Sequence, residues 1–102
     1  MLALVLGTVI TVTPKALTLQ IHGHATAKIT ASAASRNLEA TSTCFSTAGS
    51  AKDILVVTGI NTQAGAKSYT YTMDVRAQRV GTCTITFTGD ANRATVAVTV
   101  TP

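Results

Sequence analysis

The chain has 102 residues and a net charge of +4; 46% of its residues are hydrophobic, 12% are charged and 4% are aromatic, with no Trp. That length holds one domain with one core, and so low a charged fraction excludes a self-repelling disordered chain. The bases Lys15, Lys28, Arg36, Lys52, Lys67, Arg76, Arg79 and Arg93 are scattered, whereas a phosphate-tracking surface needs clustered bases and aromatic platforms, so no nucleic-acid partner is expected.

Leu2 to Leu6 is a short apolar run without a positive segment ahead of it. It is too short to span a bilayer, and no other stretch is long enough, so no membrane insertion is expected. Residues 1–7 read as an apolar N-terminal segment, which is a linker strand, a signal remnant or an addition made for expression, and residues 8–102 as the domain.

Threonine makes up about a fifth of the chain. With valine, it stiffens χ1 and suits a pleated surface. A first strand over Thr8 to Thr13 stops at Pro14, which cannot donate to a ladder. Leu17, Leu19 and Ile21 then alternate with Thr18, Gln20 and His22. Two short runs split by a proline predict one edge strand that crosses from one sheet to the other. After Gly23, Ala25, Ala27, Ile29 and Ala31 alternate with Thr26, Lys28 and Thr30. The Ala/Ser-rich stretch from Ala31 to Arg36 fits a helical turn, although no 3.6-residue stripe continues past it.

Leu38, Ala40, Ser42 and Cys44 share a face, with Phe45 opposite. Thr47 to Ser50 reads as a loop, and Ile54 to Val57 as a strand buried on both faces or a short edge piece. Thr58 to Ser68 holds two glycines, an asparagine and few large apolar groups, which predicts a long loop. Tyr69, Tyr71, Met73 and Val75 line one face of the next strand. Finally, Cys83, Ile85 and Phe87, then Val96, Val98 and Val100, alternate with Thr and Ala around a turn at Gly89, Asp90 and Asn92. This is a β-hairpin with one buried face. Seven to eight short strands with turns at this spacing predict an all-β, antiparallel β-sandwich.

Cys44 and Cys83 cannot complete a four-cysteine zinc site and form no Cys-x-x-Cys. A disulfide and a pair of buried thiols both remain. A matched pair in a small all-β domain favours the disulfide, formed in an oxidising compartment. It would close a loop worth roughly 4 kcal/mol of chain entropy and is expected to clamp the two layers together.

Nothing assembles a reaction. His22 and His24 on a strand would share a face and form half a metal site, but there is no third histidine, and Glu39, Asp53, Asp74 and Asp90 have no spacing that completes one. They read as surface or turn histidines, and no metal or cofactor is expected. There is no Gly-x-Ser-x-Gly elbow, phosphate loop or calcium run. Tyr69 and Tyr71 could stack a sugar, but two tyrosines at i and i+2 are more often core residues with wet hydroxyls. The chain therefore reads as a non-enzyme.

Ile10 to Pro14 is ITVTP and Val98 to Pro102 is VTVTP, with the two prolines 88 positions apart. Such an echo would arise where the last strand of one unit runs into the first strand of an identical neighbour. Together with TVTPKALTLQIHGHATAKITA at Thr11 to Ala31 and RVGTCTITFTGDANRATVAVTVTP at Arg79 to Pro102, it resembles bacterial immunoglobulin-like domains. These modules are strung along adhesins, invasin/intimin-type proteins, cell-wall enzymes and phage tail proteins. The Trp-Ser-Ser-type strand of that family is replaced by Ser42-Thr43-Cys44. Antibody domains pair cysteines on their second and sixth strands; here Cys83 fits the sixth and Cys44 the third.

The resemblance implies a non-catalytic structural or adhesive module of a secreted or cell-surface protein. It would be extracellular, surface-bound or periplasmic, with neighbouring domains of its own chain as partners. Two alternatives stand beside it. One is a module that binds a carbohydrate or host protein through the Thr58 to Ser68 loop and nearby loop ends. The other is a pilin-like fibre subunit whose Leu2 to Val12 segment pairs with a neighbour's open edge.

Overall fold

The computed structural model describes residues 10–34, 38–46, 49–66, 68–89 and 92–102. Among these residues eight strands are formed: β1 (Thr11–Thr13), β2 (Ala16–Gln20), β3 (Thr26–Ala33), β4 (Glu39–Ser42), β5 (Leu55–Ala64), β6 (Tyr69–Ala77), β7 (Gly81–Gly89) and β8 (Asn92–Thr101). They build two four-stranded sheets, ordered β1-β3-β6-β5 and β2-β8-β7-β4. With β1 and β2 taken as two halves of one first strand, this is the ABED and GFC arrangement of an immunoglobulin-like sandwich.

The split first strand follows from its sequence. β1 pairs antiparallel with β3 in one sheet, and β2 pairs parallel with β8 in the other. Between them lie Pro14, after a cis Thr13–Pro14 bond, and Lys15. A proline cannot continue the first ladder, so the chain changes sheets where the donor is missing.

The alternation seen in the sequence is the alternation of burial. Ile85, Phe87 and Val96 are fully buried, Val98 and Val100 almost so, and the threonines between them face outward. β7 and β8 are paired from Gly81↔Val100 to Gly89↔Asn92; Asp90 of the expected turn lies outside the described residues. On the facing sheet Ile29, Ala31, Met73, Val75 and Ala77 are buried. Small and large residues sit side by side there: Ala31 is opposite Tyr71, and Ala33 opposite Tyr69. Close packing of two layers needs this matching of volumes.

Two expectations are corrected. Thr58 to Ala64 is not loop but the greater part of β5, paired with β6 from Gly59↔Asp74 to Ala64↔Tyr69. A β-bulge between Val57 and Gly59 shifts the register by one residue, which breaks the period-two pattern on which the sequence reading relied. Ala31 to Ala33 continue β3 rather than forming a helical turn; residues 35–37 lie outside the described ones, as do residues 1–9, which include the apolar N-terminal segment.

Candidate functional site

The sandwich has two poles. Thr11 pairs with Ser32, which pairs with Thr70, so the chain enters the fold at the pole of the β5–β6 and β7–β8 turns. Thr101 pairs with Gln20, and its carbonyl accepts from Ile21 N at 2.8 Å, so the chain leaves at the opposite pole. Among the described residues, that exit pole holds most of the polar groups bonded outside the ladders.

Cys44 and Cys83 form a disulfide there, with S–S 2.04 Å and Cα–Cα 5.1 Å. Both residues are buried. The bridge does not clamp the two layers. β4 and β7 are neighbours in one sheet, and the register that sets Ser42 against Ile85 carries on two residues to set Cys44 against Cys83. Thr43 N donates to Thr84 O at 3.1 Å, and Thr84 N to Thr43 Oγ1 at 3.0 Å. The link to the other layer is made by backbone. Cys44 O accepts from Ile54 N at 2.9 Å and from Leu55 N at 3.0 Å, where β5 begins. One residue thus joins β7 through sulfur and β5 through its carbonyl.

Between β4 and β5, Ser46 and Ser50 converge on a single carboxylate. Asp53 Oδ2 accepts from Ser46 N (3.1 Å), Ser46 Oγ (3.3 Å) and Ser50 N (3.0 Å). Gln78, in the β6–β7 connection, donates from Nε2 to Ser50 O (2.9 Å) and Asp53 O (3.0 Å). Beside this loop lies an open groove of about 480 Å³ with Phe45, Ser46, Asp53, Leu55, Val57 and Gln78 on its walls. Asp53 is committed to closing its own loop, and the Ser46 hydroxyl on the groove wall is spent on that same carboxylate.

His22 and His24 lie in a 3-10 turn rather than on a strand. Gly23 and His24 have φ of 71° and 51°, so the shared strand face does not exist. Among the described residues no three His, Cys, Asp or Glu side chains come together. Glu39 starts β4, Asp74 lies in β6 beside the bulge, and Asp53 holds its loop. Tyr69 and Tyr71 pack against the core instead of forming an open platform. Tyr71 meets Phe87 edge to face across the sheets, with centroids 5.5 Å apart and planes at 68°. Burial pushes the Tyr71 hydroxyl above its ordinary pKa, and the neighbouring Tyr69 adds to the effect.

The Asp53 clasp and the β5 bulge escaped sequence reasoning. The Ser46, Ser50 and Asp53 spacing hints at the clasp, because short hydroxyl and carboxylate side chains commonly bond nearby backbone.

Among the described residues no helix is long and apolar enough to cross a membrane. No family model, curated protein or solved structure matches the chain.

Proposed function

We propose that the chain is a non-catalytic, load-bearing unit of a secreted or cell-surface protein, a spacer or adhesive stalk module of the bacterial immunoglobulin-like kind that its end motifs resemble. The observation that carries this reading is the path of the terminal strands. β2 follows the entry of the chain and β8 precedes its exit; they run parallel, in register from Ala16↔Ala97 to Gln20↔Thr101. Force applied at opposite poles would slide these strands along one another, straining their hydrogen bonds together instead of one at a time. The Cys44–Cys83 bridge supports an oxidising location. The echo of ITVTP and VTVTP fits units joined end to end.

The reading is tested by joining two copies in line and measuring small-angle scattering. The expected result is a longest dimension near twice that of one copy. A compact, side-by-side pair would overturn it. The alternative of carbohydrate or host-protein recognition loses the long loop it relied on. It keeps the nearby loop ends, among them the β5–β6 turn, where Gln63, Ser68 and Thr70 line a shallow polar hollow of about 390 Å³. Binding in a glycan array that is lost in Gln63→Ala would favour that alternative.

A further inference from the structure

The four outer strands of the two sheets are not guarded alike. β1 has three residues and is followed by Pro14 and Lys15; β2 has five; β4 has four and opens on Glu39. Short length, proline and charge are the usual means of keeping a sheet edge from pairing with another chain. β5 has ten residues, LVVTGINTQA, and none is charged or proline. Its bulge interrupts only the Val57–Gly59 step, leaving Gly59 to Ala64 regular.

The free hydrogen-bonding groups of that edge can be identified. Gly65 N donates to Ser68 O at 2.7 Å, so Gly65 and Ser68 form a bonded pair. Bonded and non-bonded pairs alternate along an antiparallel ladder. Gln63 and Asn61 therefore point their N–H and C=O at β6, while Ala64, Thr62 and Ile60 point theirs outward. Ile60 is also 56% exposed, although Met73, its partner on the same face, is 1% exposed. The facing edge strand β4 offers only Ala40 and Ser42 on its inner side, too small to cover Ile60.

We propose that β5 pairs with β5 of a second copy of this chain, antiparallel and about a two-fold axis at Thr62. That register aligns every outward group: Thr62 with Thr62, and Ile60 with Ala64 in both directions, two N–H···O bonds for each pair. It sets Ile60 against the small Ala64 of the other copy and closes the exposed apolar spot. Outer-face neighbours are Asn61 and Gln63. Two chains of charge +4 repel overall, and an uncharged strand is the place where they meet without like charges in contact. A second copy is self-complementary here, as a two-fold interface must be.

Light scattering coupled to size exclusion, over a concentration series of the oxidised protein, tests the pairing. The mass should climb from 10.5 kDa toward twice that value. Thr62→Lys, which places like charges on the axis, should hold the mass at the monomer value with an unchanged circular-dichroism spectrum. Thr62→Pro, which removes an outward N–H without touching the β6 ladder, should do the same if it folds. A third variant, Thr62→Cys, should cross-link into dimers faster than Thr41→Cys on the β4 edge. A monomer at all concentrations, a dimer that persists in Thr62→Lys, or equal cross-linking at both positions would overturn the proposal.

Discussion

Tyr71 shows how one side chain ties packing to a solution property. Its ring lies against Phe87, which is fully buried on the opposite sheet, and its hydroxyl is held above the ordinary value, chiefly by burial. In the unfolded chain the phenol ionises near pH 10. As pH rises past that value the unfolded state loses its proton before the folded state does, so stability falls. The contribution is complete below about pH 10 and is lost as pH climbs through the raised folded value. Chemical denaturation of the wild type across this window should show the decline, and Tyr71→Phe should flatten it. An equally steep decline in Tyr71→Phe would place the effect elsewhere. At the same scale, the sulfur bridge spans a sequence separation of 39. Replacing both cysteines by alanine should lower unfolding stability by about 4 kcal/mol, on the chain-entropy account. An unchanged urea midpoint would contradict it.

Among the elements, the β4–β5 connection depends on Asp53. Asp53→Ala deprives Ser46 N, Ser46 Oγ and Ser50 N of their common acceptor. The bonds are solvent-exposed, so a modest loss of about 1 kcal/mol is expected. Faster amide exchange should be confined to this loop and the start of β5. A uniform change across both sheets would mean that the carboxylate supports more than its loop.

The same elements show how far the sequence could be read. β7 and β8 were legible because each has one buried and one wet face, which writes a period of two into the residues. The change of sheet between β1 and β2 was legible because Pro14 sits where the ladder must break. β5 was not, for two physical reasons. Its bulge moves the pattern by one position at Val57–Gly59. Beyond the bulge it is exposed on both faces, so no burial selects apolar residues, and Gly59, Asn61 and Gln63 look like loop. The cysteine pairing could be expected, but its place within one sheet required the β4–β7 register. The His22–Gly23–His24 turn was hidden by the strand pattern on both sides of it.

At the scale of the whole molecule, two valine- and threonine-rich layers bury a common core. The long axis measures 52 Å against 24 and 21 Å, with chain entry and exit at opposite poles. The disulfide locks the segment from Cys44 to Cys83, which holds β5, β6 and the start of β7, while β1 to β4, the rest of β7 and β8 lie outside the locked loop. A unit built this way would yield to force through its terminal strands and then stop extending at the bridge. Single-molecule pulling between residue 10 and Pro102 tests this most directly. The account predicts a distinct unfolding force under oxidising conditions. It also predicts an extension that lengthens by about 125–135 Å once the bridge is reduced, since each of the 39 freed steps adds roughly 3.3–3.6 Å and the bridge itself already spans 5.1 Å. Unfolding without a resolvable force peak, or the same extension with and without reductant, would contradict it.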